Sequence, residues 1–183
     1  APQISVADAS GREILYVRQK LLKLRDKITV FSDSSQSQEL YEINADRILD
    51  FSARFVFTDR QGRTAGAIQR QGTRSIWKAT YDIQEASGRD LFRVQEEQPW
   101  LKVIDYFVEE IPFVGIFAGY LFSPTYGVQR LATGQTALRI TKHRTMLSRT
   151  FTIDNLEGQL PETEEVATVL GIMIMVLHER RRE

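Results

Sequence analysis

Over the first two thirds of the chain, apolar and polar residues alternate in short runs that stop at clusters of Asp, Ser, Gln and Gly. A period of two puts successive side chains on opposite faces of an extended strand, so these runs read as half-buried strands joined by turns. Ile28-Thr29-Val30-Phe31, the polar stretch Ser32 to Ser37, and Leu40-Tyr41-Glu42-Ile43 predict one hairpin. Phe55-Val56-Phe57, the turn Asp59-Arg60-Gln61-Gly62 and Ala65-Gly66-Ala67-Ile68 predict a second. Ile76 to Ile83, the turn Glu85-Ala86-Ser87-Gly88 and Leu91-Phe92-Arg93-Val94 predict a third. Hairpins at this spacing point to an antiparallel sandwich or barrel rather than to βαβ units.

The pattern also echoes itself. Gly62-Arg63-Thr64-Ala65-Gly66-Ala67-Ile68-Gln69-Arg70 returns as Gly134-Gln135-Thr136-Ala137-Leu138-Arg139-Ile140-Thr141-Lys142. Thr80-Tyr81-Asp82-Ile83 then returns, in the same order, as Thr150-Phe151-Thr152-Ile153. Two hairpins meeting the same turn requirement would explain the first match; the second, in-order match favours a duplicated β-unit.

Between the copies the period changes to that of a helix. Trp100, Val103, Ile104, Phe107, Val108 and Ile111 fall on one helical face, with Lys102, Asp105, Glu109 and Glu110 on the other. Pro99 suits the first turn and Pro112 ends it. Phe113 to Phe122 follows without a charge, so residues 99–122 read as a helical insertion with the most apolar local surface of the chain. That surface has two readings: a lid over one end of the fold, or a contact for a membrane interface or a second subunit through Phe113, Ile116, Phe117, Tyr120 and Leu121.

The last apolar run, Val166 to Leu177, has no polar side at all. Glu162, Glu164 and Glu165 precede it and His178, Arg180, Arg181 and Arg182 follow, which complements a helix dipole at both ends and predicts a helix over about 162–179. At 1.5 Å per residue the run spans about 18 Å, short of the roughly 30 Å of bilayer hydrocarbon. A helix apolar on every side has to be surrounded. In a chain of hairpins, a sheet wrapped around it is the natural cover.

Composition narrows the options further. The chain has 183 residues, 24 Lys+Arg against 24 Asp+Glu, and no Cys. Its length suits a single domain over 1–183, and its neutral total argues against a protein that coats nucleic acid. Without Cys there are no disulfides, thiol nucleophiles or acylation sites. Ala1 to Asp8 shows no secretory leader, so a cytoplasmic location, with or without peripheral membrane contact, is the expectation.

Taken in order, Tyr16-Val17-Arg18-Gln19-Lys20, Thr58-Asp59-x-x-Gly62, Thr80-Tyr81-x-Ile83, Thr150-Phe151-x-Ile153 and the closing apolar segment resemble the LURP-one-related proteins. That family is grouped with tubby C-terminal domains and phospholipid scramblases. The resemblance implies a closed antiparallel barrel of about twelve strands with the C-terminal helix through its centre. It also implies a range of roles, from phosphoinositide-tethered regulation to lipid scrambling. The chain departs from the scramblase pattern in lacking the acylated Cys cluster, a Pro-rich arm and a D-x-D-x-D-G calcium loop.

Catalytic signatures are missing. His143 and His178 are the two His, and no H-E-x-x-H, G-x-S-x-G, P-loop or dinucleotide fingerprint occurs, so neither enzymatic activity nor a cofactor or metal is expected. Local charge says more than the total. Basic residues concentrate in the strand regions: Arg18, Lys20, Lys23 and Arg25; Arg70 and Arg74; Lys142 and Arg144. Acidic ones concentrate around the helices. These eight cations are the candidate contacts for an anionic lipid or phosphate-bearing ligand. The competing expectation is a protein–protein scaffold with no lipid role, the basic positions serving only to keep strands soluble and unpaired. A scramblase-like transfer of lipid ranks third, because a helix that fills the fold cannot also enter a bilayer.

Overall fold

The computed structural model describes residues 3–18, 27–47, 52–71, 80–97, 125–144 and 149–180. They form eleven strands: β1 (Gln3–Ala7), β2 (Glu13–Arg18), β3 (Ile28–Phe31), β4 (Glu39–Arg47), β5 (Arg54–Asp59), β6 (Thr64–Gln71), β7 (Thr80–Gln84), β8 (Asp90–Glu96), β9 (Thr125–Arg130), β10 (Thr136–Arg144) and β11 (Arg149–Asn155). One helix, α1 (Glu162–Arg180), closes the described chain. The three predicted hairpins are present as β3–β4, β5–β6 and β7–β8. The insertion expected over 99–122 lies outside the described residues.

The strands form one antiparallel sheet in sequence order, β1 through β11. It is not the closed barrel of about twelve strands that the sequence led us to expect. Closure needs the first and last strands to bond to each other, and among the described residues β1 is paired with β2 and β11 with β10. A closed barrel is what the family resemblance implies, and the helix's need for cover on every side agrees with it. Side chains provide that cover, and it requires no ladder between the end strands.

The chain divides into two compact units. The first contains β1 to β6, β7 from Tyr81, the first two residues of β8, and α1. In it, the register aligns Ile28, Ile43, Phe57 and Gly66 as one cross-strand row. The three side chains of that row are buried, and the row ends where Gly66 makes room for α1. A Cβ at Gly66 would lie 2.8 Å from Ala167 Cβ and 2.7 Å from the Gln84 carbonyl oxygen, at a φ of +150°. Only glycine fits. One helical turn on, Gly171 lies against Ile83, where a Cβ would come within 3.1 Å of that side chain. From Leu170 to Leu177 every residue of α1 is buried, and each Leu, Ile or Met so placed contributes about 1.5–3 kcal/mol of transfer free energy.

The second unit contains β9 to β11 and β8 from Phe92 onward. Its rows pair Val94 with Val128 and Leu138, and Tyr126 with Ile140, all buried. Arg130 stands over the Phe92 ring at 4.6 Å and forms a bidentate bond to Glu157, with Nε and Nη2 each 2.7 Å from a carboxylate oxygen. That fork holds the loop after β11 against β9.

Candidate functional site

In an antiparallel meander, alternate turns fall at the same end. In the first unit, the turns β1–β2, β3–β4, β5–β6 and β7–β8 therefore share one end, and three are built alike. Asp8-Ala9-Ser10-Gly11-Arg12, Asp59-Arg60-Gln61-Gly62-Arg63 and Glu85-Ala86-Ser87-Gly88-Arg89 each set a carboxylate, a left-handed glycine and an arginine in fixed order. In each, the first residue's N–H donates to the arginine carbonyl and its own carbonyl accepts from the glycine N–H. Asp59 Oδ1 accepts from the Gln61 and Arg63 N–H groups, both at 2.9 Å, while Oδ2 takes Arg63 Nε at 2.7 Å. Burial pushes the Asp59 carboxyl up, but these donors together hold it below the usual range. The Ser10 hydroxyl does the same for Asp8, and the Arg89 guanidinium for Glu85. The first helical turn, with Glu162, Glu164 and Glu165, belongs to this end too: Tyr41, pushed up by burial, also feels Glu162 and Asp59.

The opposite end of the same unit is basic. Arg18 closes β2 and is exposed. Arg54 opens β5, with Nη1 2.7 Å from Asp46 Oδ2 and Nε 3.2 Å from Gln84 Oε1. Arg70 lies near the close of β6, half-buried, and joins Tyr81, Ile174 and His178 around the C-terminal part of α1. The Tyr81 hydroxyl is 3.4 Å from His178 Nδ1, with the rings edge-on at 6.2 Å. That group is packed shut and leaves no room for a water molecule.

The structure thus brings Arg70 to the helix end but leaves Arg18 four strands away in the sheet order, so the two are separate positions on one end rather than one subsite. In the second unit, Lys142 is buried, its ammonium 6.0 Å from the Phe151 ring centroid, and it is not displayed to solvent. Arg144 is the last residue of β10. Lys20, Lys23, Arg25 and Arg74 lie outside the described residues, as do Phe113, Ile116, Phe117, Tyr120 and Leu121.

The second unit also holds a concavity that no candidate residue marked. Gly127 sits mid-strand in β9, with Gln95 on β8 and Arg139 on β10 as its cross-strand neighbours. The missing side chain opens a hollow of about 150 Å³, bounded by Arg93, Gln95, Glu97, Gln129 and Thr136. Glu97 leans over Gly127 and is 3.2 Å from Arg139 Nε, while Gln129 Nε2 donates to the Gly134 carbonyl at 2.6 Å. The lining offers donors and acceptors of both charges, which suits a small polar molecule. An isolated glycine within a strand pattern, Thr125-Tyr126-Gly127-Val128, was the available signal.

Among the described residues no group of His, Asp and Glu is arranged to hold a metal ion, and no helix is long and apolar enough to cross a membrane. A mainly β domain built as one antiparallel meander with a buried C-terminal helix is the class these observations define. The chain belongs to the LURP-one-related family, whose model matches residues 13–175. No curated protein and no solved structure matches it.

Proposed function

We propose that this LURP-one-related domain is a non-enzymatic binding module that meets anionic surfaces, lipid headgroups or other phosphate-bearing ligands, with the basic end of its first unit. The observation that carries this reading is the separation of charge along the strands. Carboxylates and the acidic helix start occupy the turn end, several of the carboxylates already held by arginines. Arg18, Arg70 and Arg54, the last paired with Asp46, occupy the other. A molecule polarised in this way orients itself in the field of an anionic surface, each nearby cation adding about 1 kcal/mol of attraction. The fully buried α1 residues argue against insertion, since exposing them to lipid would dismantle the core.

The test is co-sedimentation with phosphatidylcholine vesicles, with and without phosphatidylserine, over a salt series. Binding should require the anionic lipid and fall as salt rises. Arg18→Gln should weaken it about fivefold, in line with the loss of one surface cation. Glycerol phosphate that competes at equal phosphate concentration would assign the site to the phosphate rather than the surface. Equal binding to both vesicle types, or none, overturns the proposal.

A further inference from the structure

The face of the second unit that carries Gly127 shows two departures from a regular ladder side by side. One is the glycine itself, mid-strand in β9 between Gln95 on β8 and Arg139 on β10. The other is the bulge in β10 between Thr136 and Leu138, beside Gln129, two residues along from the glycine. A glycine inside a strand marks a place where something approaches the backbone closely, and a bulge beside it re-aims the side chains at the rim. Gly66 in the first unit is explained by Ala167 of α1, which it seats. Gly127 instead opens onto the hollow of about 150 Å³.

That hollow is polarised along the strands. Arg93, Gln129 and Thr136 form one cross-strand row at its rim, and Gln95, Gly127 and Arg139 form the next row on the same face. Glu97, held by its N–H on the Thr125 carbonyl at 2.8 Å, leans back over Gly127 and brings its carboxylate to the level of the second row. The row of Arg93 and the Glu97 carboxylate are therefore about two residues, roughly 7 Å, apart along the strands. The carboxylate is loosely held. Arg139 Nε lies 3.4 and 3.2 Å from its two oxygens, against 2.7 Å in the Arg130–Glu157 fork, so Glu97 keeps the capacity to accept from another donor. Gln95, Gln129 and Thr136 add neutral donors and acceptors around the same space.

We propose that the hollow is a site for a small free amino acid, its carboxylate on Arg93 and its ammonium on Glu97. A ligand of one sign meets its own charge at one end: an anion faces Glu97, and a cation faces Arg93. A zwitterion satisfies both, and the short span calls for both charges on one small molecule. Volume sets the size. At roughly 30 Å³ per water the hollow corresponds to about five waters, which suits glycine, alanine or serine. Every residue invoked belongs to the second unit, so this site stands or falls separately from the basic end of the first.

The test is an amide-resolved NMR titration of the full chain with alanine and two analogues of equal size. Lactate replaces the ammonium with a hydroxyl, and alaninamide replaces the carboxylate with an amide. Alanine should give saturable shifts centred on Gly127 and Gln129, and should bind about tenfold or more tighter than either analogue, as expected for one charge-assisted bond. Glu97→Gln should weaken alanine by a similar factor without weakening lactate. Arg93→Gln should weaken alanine without weakening alaninamide, a split that loss of structure would not produce. Lactate binding as tightly as alanine would make this an anion site, and alaninamide doing so would make it a cation site; either result overturns the proposal. So does the absence of saturable shifts up to about 100 mM alanine, far above a millimolar Kd.

Discussion

Ile83 and Ile153 hold the same place in the two copies of the sequence echo, each the last residue of a Thr-aromatic-x-Ile motif. Ile83 is completely buried against Gly171 of the helix, and Ile153 is 37 % exposed on an edge. Upstream the copies agree better: Gly62 and Gly134 both turn at positive φ, and Ile68 and Ile140 are both buried. They part at several positions, one of which bears on the helix. Where the first copy has Gly66, which lets α1 approach the strand, the second has Leu138. The repeat thus encodes a hairpin and its alternation. Whether the next strand becomes core or edge is decided by what the hairpin is able to seat.

The contrast gives its largest signal in truncation. Ile83→Ala should cost about 2–5 kcal/mol, as core truncations do, and Ile153→Ala no more than about 0.5 kcal/mol, as exposed positions do. Urea denaturation of both variants measures the difference, and equal losses would erase the distinction between the copies. Next in size, Gly66→Ala should cost about 1–3 kcal/mol through overpacking of the strand against Ala167. By contrast, Gly62→Ala and Gly134→Ala meet no close neighbour, so each should cost only the strain of a left-handed alanine, about 1 kcal/mol or somewhat more, and about equally. A large gap between those two would show that the turns are not equivalent after all.

The smallest expected effect is acid sensitivity. Asp8, Asp59 and Glu85 have carboxyls held below their usual values, so their contribution is present above the unfolded range near pH 4 and is lost as pH falls through the lowered folded values. Asp59→Asn should flatten the acid limb of a melting-temperature profile by lowering the melting temperature slightly at neutral pH and leaving it unchanged in strong acid, where the carboxylate is already protonated. The second copy's turn starts at Arg130 and runs one residue longer, so it has no such carboxylate to lose.

Much of the fold was legible in the sequence because hairpins and helices write themselves locally. Alternation fixed β3 to β8, and acidic and basic flanks framed α1 within a residue of its observed end. Closure was not legible, because it depends on bonds between β1 and β11, whose backbones carry no side-chain mark. The carboxylate–glycine–arginine turn was written three times in plain view, yet only Asp59 and Glu85 were read, and as turns alone. Of the expected basic contacts, Arg18 is displayed, Arg70 half-displayed and Lys142 buried. Strand alternation from Arg139 to Lys142 held the reason: Lys142 shares its face with Ile140.

The close fit of Ala167 on Gly66 joins residues roughly a hundred positions apart, a separation that slows folding. Hairpins of the first unit close over a few residues each and can form as the chain leaves the ribosome. Their apolar face then waits for a helix that emerges after all of them. During synthesis the nascent sheet is therefore a client for chaperones, and a chain stopped before residue 162 would be released with its core unfilled and open to aggregation.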